Sequence, residues 1–316
     1  MIIANPIYDI IFKRLMENKR IAGFFIQTLI GEQVIDIAMM PQEYTYLANV
    51  KKENKEETYS AEEKEWEILS LIRLDFVALI RTAGGEHKKI LIELQKSNNA
   101  TDLMRFRTYL GEQYKRMDVV EVSTGKVEKS LPVICIYLLG FKLPEGIEAV
   151  AIKVGRSYTD IIGQTEIKQK STWIESLTHD GYFVQIPYIN GKPRTLLEQL
   201  LSVFEQKYFI DDKSTIKEYE YPIEDETIKM MIDILRHAAA DGKTKREMEE
   251  AWWAEKRLEE LEKTEKELEK AGKELEKSKK TIEENKKMLA EKDKSLAEKD
   301  KEIEELRRRL ENNFKG

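Results

Sequence analysis

The sequence predicts an α/β domain followed by one long C-terminal coiled-coil helix. Three observations support this fold class. Short apolar runs of strand length alternate with helical patterns in the N-terminal part. Two of these runs flank a glycine turn, which predicts an antiparallel hairpin. From Leu261 to Leu310 an apolar residue recurs every seven positions. We therefore divide the chain into a domain at 1–222, with a core at 5–140 and an extension at 141–222, and a helical segment at 223–316.

Two amphipathic helices are predicted at the N-terminus. The first begins at Asn5-Pro6, because proline is favoured in the first turn of a helix. The second covers about residues 21–30 and stops at Gly31. A short strand follows at Val34–Met40. The densely charged stretch at residues 51–65 predicts an exposed loop or insertion.

The hairpin and the elements after it form the centre of the predicted sheet. Its strands are Ile72–Arg81 and Lys89–Gln95, joined by a turn with Gly84 and Gly85. Apolar residues at helical spacing follow the hairpin. After them comes a run that is apolar throughout and is therefore predicted to be a central strand. The remaining predicted elements are a helix at Asn98–Arg116, that central strand at Leu131–Leu139, a strand at Glu148–Val154, a helix at Leu196–Phe209, and a helix that begins at Ile223 and continues into the tail.

Charge is distributed unevenly along the 316 residues. The chain has 53 Lys and Arg against 59 Asp and Glu, a net charge of −6. Residues 242–316 contain 22 basic and 22 acidic residues, so the excess negative charge lies before them. An acidic domain argues against unspecific coating of nucleic acid, but it is compatible with a local basic groove.

We expect a cytoplasmic protein that does not associate with a membrane. Charged residues such as Lys13 and Arg14 interrupt the N-terminal apolar residues, so no signal peptide is predicted. No apolar run approaches the roughly 20 residues that span a bilayer. The single cysteine, Cys135, excludes a disulfide within the chain and predicts a buried, inert thiol.

Two acidic residues interrupt the apolar strands of the hairpin. Asp75 and Glu93 lie about nine and eight residues from the turn, so they could project toward one place. Carboxylates are disfavoured inside strands, and a close pair suits a divalent cation with oxygen ligands, such as Mg²⁺. Gln95 lies two residues after Glu93 and shares its face of the strand. The alternative is that both carboxylates face solvent on the open side of an antiparallel sheet.

These residues resemble a known family. Asp75, Glu93 and Gln95 on a hairpin that is followed by a helix are similar to the active-site hairpin of the PD-(D/E)XK nuclease superfamily. More narrowly, the chain resembles the Rpn family of recombination-promoting nucleases, also called PD-(D/E)XK family transposases. The resemblance is carried by these segments: NPIYDIIFKRL, Leu29-Ile30-Gly31-Glu32, Arg73-Leu74-Asp75, Ile92-Glu93-Leu94-Gln95, and Arg105 with Tyr109.

The resemblance implies a restriction-endonuclease-like mixed sheet flanked by helices and metal-dependent cleavage of DNA. Asp75 and Glu93 would hold Mg²⁺ or Mn²⁺, and the metal would activate a water and stabilise charge on the phosphate. The superfamily usually has lysine at the position of Gln95, but glutamine is common in this family. Glutamine can orient a water without supplying charge, so Lys96 or Arg105 would supply it. The proline of the superfamily name is replaced by Leu74.

Further polar residues could take part in such a site. In similar nucleases, polar residues of the first helix approach the metal, so Asp9 is a candidate ligand and Lys13 a candidate DNA contact. The alternative is an ordinary surface ion pair between these two residues, which are four apart. Arg105, Tyr109 and Arg116, with Gln113, are predicted to form a stripe that meets the phosphate backbone. A solvated helix face is the alternative for this stripe.

The tail predicts association of copies of the chain through residues 243–314, as a dimer or a higher oligomer. Leu261 and seven later positions repeat every seven residues, ending at Leu310, which implies a left-handed supercoil. The second seam is mostly polar and includes Lys292 and Lys299. The alternative is a single charged helix, supported by Glu–Lys pairs that are each worth about 0.2–0.5 kcal/mol.

The leading hypothesis is thus a DNA endonuclease that could promote recombination or transposition, oligomerised by its tail. A catalytically inactive nuclease-fold protein that recruits a partner through its coiled coil is the main alternative, favoured by the acidic charge and by Gln95. Action on RNA instead of DNA is a third hypothesis. The sequence does not separate these two substrates, because it carries no stacking motif of the RNA-binding modules.

Overall fold

The computed structural model describes residues 1–40, 43–49, 67–73, 75–96 and 100–313. The side chains at 43–49, 67–73, 100–102, 262 and 308–313 are not part of this description. The protein is a mixed α/β structure with a six-stranded mixed sheet and a long C-terminal helix. It divides into two compact units, Met1–Ala251 and Trp252–Gly316. The charged stretch predicted as a loop at 51–65 lies outside the described residues.

The first half of the chain contains the hairpin and the helices that surround it. Its elements are β1 (Ile2–Ala4), α1 (Asp9–Met16), α2 (Lys19–Ile30), β2 (Val34–Met39), β3 (Glu43–Asn49), β4 (Glu67–Arg73), β5 (Phe76–Thr82), β6 (His87–Gln95) and α3 (Ala100–Tyr114). The predicted strand at Val34–Met40, second hairpin strand and helix at Asn98–Arg116 are confirmed within a few residues.

The second half contains shorter strands and the long helix. Its elements are β7 (Asp118–Val122), β8 (Gly125–Lys129), β9 (Val133–Leu139), β10 (Ala151–Val154), β11 (Tyr158–Asp160), β12 (Thr165–Ile167), α4 (Thr172–Leu177), β13 (His179–Gln185), a 3₁₀ helix (Ile186–Tyr188), α5 (Leu196–Ser202), β14 (Ile216–Glu218), α6 (Glu226–Ala240) and α7 (Gly242–Asn313). The apolar run before Leu139 is a central, buried strand as predicted.

The central sheet has the strand order β10, β13, β9, β6, β5 and β2. β6, β9 and β13 are parallel to each other, whereas the other neighbouring pairs are antiparallel. The parallel strands β6 and β9 need a crossover connection, and this connection contains α3, β7 and β8. Because the three parallel strands end together, the residues that follow them meet at one edge of the sheet.

One strand of the predicted hairpin is divided in two. Ile72–Arg81 was expected to be continuous, but β4 ends at Arg73 and β5 begins at Phe76. The physical reason is that the two parts join different sheets, since β4 pairs with β3 whereas β5 pairs with β2 and β6. Asp75 therefore lies just before a strand rather than inside one.

An aromatic cluster packs α1 and α2 against the segment after α5. Phe12, Phe25 and Phe204 are fully buried, with ring centroids 5.8 to 6.4 Å apart. Aromatic side chains supply much of the buried apolar area in such a core. α2 ends at Gly31, which has a φ of 74° and so adopts the left-handed conformation that glycine tolerates.

Three predicted helix boundaries are corrected by tertiary contacts. α1 begins at Asp9 instead of Asn5, because the Asn5 side chain bonds to Gln206 and to the carbonyl of Ser214. α5 ends at Ser202 instead of Phe209, and the buried Lys217 ammonium donates to carbonyls after it. The helix from Ile223 does not continue into the tail, because Asp241 has an extended backbone that separates α6 from α7.

The tail helix α7 presents its heptad residues to solvent. The residues at this repeat, from Leu261 to Ile303, are 50 to 68 % exposed. α6 packs against β1 and α2 and so belongs with the N-terminal unit. Within the part of the chain that the structure describes, no helix combines the length and apolarity needed to cross a membrane.

Candidate functional site

The hairpin register brings Asp75 and Glu93 together. Phe76 pairs with Ile92 across β5 and β6, so the next position places Asp75 opposite Glu93. An Oδ2 atom of Asp75 accepts a hydrogen bond from the backbone N–H of Leu94 at 2.6 Å. Residues directly opposite on neighbouring strands have side chains about 4.5–5.5 Å apart at Cβ. The two predicted carboxylates therefore converge at the end of the hairpin.

This carboxylate pair is electrostatically strained. Burial raises the pKa of Glu93 well above its usual value, the nearby Asp75 charge raises it further, and Arg105 opposes the rise. Burial likewise raises the pKa of Asp75, although the Leu94 N–H opposes it. Glu93 is only 3 % exposed, and its Oε2 accepts no hydrogen bond from any residue that the structure describes. A buried, unpartnered carboxylate oxygen is costly unless a proton or a cation satisfies it.

Asp9 and Lys13 of α1 lie beside the pair and also bond to each other. Lys13 Nζ donates to Asp9 Oδ2 at 2.9 Å, which is the predicted four-apart ion pair. A side-chain hydrogen bond with Asp9 also raises the pKa of Asp75, whereas the Lys13 charge lowers it. The predicted ion pair is therefore present, and it borders the carboxylate site.

The donor chemistry of the site fits a divalent cation in part. No three His, Cys, Asp or Glu side chains are grouped as ligands of one metal ion in the described ranges. Mg²⁺ is commonly held by only one or two carboxylates, while waters and substrate phosphates complete its coordination. Asp75 and Glu93, with an orphaned buried oxygen on Glu93, match that smaller set.

Gln95 and Lys96 lie where β6 leaves the sheet. Gln95 shares the strand face of Glu93 and is partly buried. The Lys96 ammonium lies 4.4 Å from the centroid of the Tyr8 ring, which precedes Asp9. Tyr8 itself is buried and donates its hydroxyl to the carbonyl of Lys213 at 2.6 Å. Lys96 is therefore held on the α1 side of the site.

Arg105 extends from α3 toward the same carboxylates. Its Nη2 lies 3.6 Å from Glu93 Oε1, and its side chain is 48 % exposed. The guanidinium is thus placed between the buried carboxylate and solvent. Because it is partly exposed, it could also contact a phosphate that approaches Glu93.

The other residues of the predicted stripe on α3 do not lie together on one exposed face. Tyr109 is 7 % exposed and packs in a core cluster with Leu91, Phe106 and Cys135. It turns inward because the apolar ring packs against the sheet, so it is not available to the phosphate backbone in this arrangement. Gln113 is also buried. Arg116 follows the end of α3, where its charge acts on Asp118.

Two features of the structure have no counterpart among the sequence predictions. One is a buried ion pair, in which Lys89 Nζ lies 2.7 Å from an Asp118 carboxylate oxygen. The other is a second lysine over an aromatic ring, with Lys142 Nζ 4.4 Å from the centroid of Tyr188. Lys89 is a lysine within the apolar strand β6, and this is a sequence signal for the buried ion pair. No sequence pattern links residues 142 and 188.

Comparisons with known proteins give no further guidance on the family. No protein-family model, no curated protein and no solved structure matches this chain.

Proposed function

We propose that the protein is a metal-dependent DNA endonuclease of the PD-(D/E)XK type, similar to the Rpn recombination-promoting nucleases. The observation that carries this proposal is the Asp75–Glu93 pair, with its raised pKa values and an orphaned buried oxygen on Glu93. A strained carboxylate pair in a strand-end setting is typical of a site that binds a cation. The mixed sheet agrees with the fold that the resemblance implies.

In this proposal Asp75 and Glu93 hold Mg²⁺ or Mn²⁺. The bound cation supplies polarisation of a water and stabilisation of charge on the phosphate. Asp9 borders the pair and would contribute negative charge toward the cation. The Leu94 N–H fixes the Asp75 carboxylate in its orientation, because it donates to Oδ2.

The uncharged and cationic side chains around the carboxylate pair have separate roles. Gln95 orients the attacking water through its amide, because it can both donate and accept hydrogen bonds. Lys96 and Arg105 supply the positive charge that glutamine lacks and face the negatively charged phosphate. Lys13 and Arg105 contact the DNA backbone on the α1 and α3 sides of the site. Residues 243–314 bring two or more copies together, which suits cleavage of both strands.

A non-catalytic scaffold is the second candidate. It is favoured by the lack of a three-ligand cluster among the residues that the structure describes. In that case the carboxylate pair is a remnant, and the tail helix carries the function by recruiting a partner.

The decisive experiment measures plasmid cleavage with and without Mg²⁺ or Mn²⁺. We expect nicking by the intact protein, and its loss in Asp75→Asn and in Glu93→Gln, because each removes an anionic oxygen from the pair. The same ions should raise the melting temperature of the wild-type protein but not that of either variant, since binding to the folded state stabilises it. This second readout does not depend on activity.

The matched control is Glu121→Gln, which neutralises an exposed carboxylate on β7. It should cleave and respond to metal like the wild type. Absence of both cleavage and metal stabilisation in well-folded wild-type protein would favour the scaffold. Cleavage that persists in both site variants would mean that the active site lies elsewhere.

A further inference from the structure

Two lysine side chains lie over tyrosine rings at one edge of the central sheet. They are Lys96 over Tyr8 and Lys142 over Tyr188, each with its ammonium 4.4 Å from the ring centroid. Lys96 follows β6 directly, Lys142 follows the end of β9, and Tyr188 follows the end of β13. Because these strands are parallel, their ends form one edge, in which Gln95, Leu139 and Gln185 are aligned.

The loop that carries Lys142 is held against this edge by Gln185. The buried Gln185 side chain accepts from the N–H of Leu143 at 2.7 Å and donates to the carbonyls of Ile147 and Ala149 at 2.8 Å. A buried amide that makes three such bonds fixes the backbone around it. The loop is therefore anchored on both sides of its exposed acidic residues, Glu145 and Glu148.

The start of this loop is also packed tightly against the end of β6. Gly140 donates its N–H to the carbonyl of Gln95 at 2.8 Å. A Cβ atom at Gly140 would lie 3.1 Å from the backbone of Lys96, closer than ordinary van der Waals contact. Glycine thus allows the segment that leads to Lys142 to lie directly beside the candidate active site.

Lys142 is positioned but keeps its charge available. The attraction between an ammonium and a ring face restricts the lysine without neutralising it. Lys142 is exposed, and among the residues described it forms no ion pair with a carboxylate. Tyr188 is only partly exposed and so presents a stable platform under the lysine. A fixed cation that no carboxylate neutralises, beside the carboxylate pair of the candidate active site, is suited to bind a second phosphate of the substrate.

We propose that Lys142, positioned by Tyr188, binds a backbone phosphate of the DNA strand whose scissile phosphate lies at Asp75 and Glu93. The strand then crosses the ends of β6, β9 and β13. Neighbouring strands are about 4.8 Å apart, so this path covers about 10 Å, or about three stacked nucleotides. The inference rests on the proposed function, because it takes DNA as the substrate.

The test measures binding of the full-length protein to a fluorescently labelled DNA duplex by anisotropy in EDTA, where metal-dependent cleavage does not interfere. Lys142→Ala should weaken binding by about fivefold and lower the slope of log affinity against log salt by about one, as expected for one lost phosphate contact. The matched control is Lys126→Ala, an exposed lysine on β8, which should leave both quantities unchanged.

Tyr188 is tested as a positioning residue. Tyr188→Leu should weaken binding in the same direction, whereas Tyr188→Phe, which retains the ring, should bind like the wild type. If Tyr188 acts through Lys142, the double variant with Lys142→Ala should be no weaker than Lys142→Ala alone. Additive losses would overturn the positioning role. Circular dichroism melting confirms that each variant is folded.

Two outcomes would overturn the proposal: wild-type protein without measurable affinity for the duplex, or Lys142→Ala with unchanged affinity and salt slope. Failure of the proposed function gives a different result. Binding that depends on Lys142, without cleavage in Mg²⁺ or Mn²⁺, would exclude the nuclease and retain the phosphate contact. Metal-dependent cleavage together with DNA binding that does not depend on Lys142 would support the nuclease and exclude the phosphate contact.

Discussion

Glu93 is buried opposite a second carboxylate, and this arrangement has a cost when no cation is bound. Its pKa is raised by burial and by Asp75, and the pKa of Asp75 is raised by burial and by Asp9. A carboxyl group with a raised pKa binds its proton more tightly in the folded state than in the unfolded state. Stability is therefore lost as the pH rises from the unfolded-state pKa, about 4.3 for Glu, through the higher folded-state value.

Glu93→Gln removes this cost. In EDTA we expect its melting temperature to exceed that of the wild type at pH 8, and the difference to shrink as the pH falls and to vanish below the unfolded-state pKa, near pH 4, where Glu93 is protonated in both states. Thermal melts of both proteins between pH 4 and 8 measure this. Glu121→Gln, at an exposed carboxylate, should show no such pH-dependent difference. Equal melting temperatures of Glu93→Gln and wild type at pH 8 would contradict the strain at the pair.

Among the elements, the hairpin and the tail helix follow from local sequence signals, whereas their ends do not. Glycine turns and apolar runs predicted β6, and the heptad pattern predicted a helix that the structure extends from Gly242 to Asn313. The ends of α1 and α5 depend on Asn5 and Lys217, whose partners are distant in sequence. Such long-range bonds override local capping preferences, so no reading of neighbouring residues could find them.

Gly272 is a weak point of α7. Glycine in a helix interior costs about 1 kcal/mol relative to alanine, and an added Cβ at this position meets no atom within 4 Å. We expect Gly272→Ala to raise the midpoint of the helical transition of the tail, measured by circular dichroism at 222 nm. Ala290→Gly, elsewhere in the same helix, should lower it by a similar amount. A lower midpoint in Gly272→Ala would show that this glycine serves another purpose.

At the scale of the whole molecule, the exposed heptad residues of α7 form an apolar stripe that spans residues 261–303. From Leu261 to Ile303 each member is at least half exposed. A helix with one apolar stripe and otherwise charged faces gains stability when a second helix covers that stripe. The polar second seam, including Lys292 and Lys299, would weaken such pairing and favours neither a parallel nor an antiparallel orientation.

Self-association through this stripe is testable in the intact protein. We expect a wild-type mass of a dimer or higher oligomer by light scattering, and a monomer mass for the double variant Leu275→Asp, Leu289→Asp, because buried charges oppose helix pairing. Lys280→Asp with Lys294→Asp places two aspartates on the opposite helix face, with an even larger change in charge, and should retain the wild-type mass. A monomer mass for the wild-type protein would contradict self-association through the tail.

The chain by itself determined several local elements, among them α2, β6 and β9, as well as the tail helix and the residues Asp75, Glu93 and Gln95 of the candidate site, because strand periodicity, glycine turns and heptads are short-range patterns. Only the tertiary structure decided that Asp75 lies opposite Glu93 with an orphaned oxygen nearby, that Tyr109 faces the core, and that β13 joins β9 in parallel. These facts depend on pairing between distant segments. The lysine at 142 meets the tyrosine at 188 for the same reason, since parallel strands bring their ends to one edge.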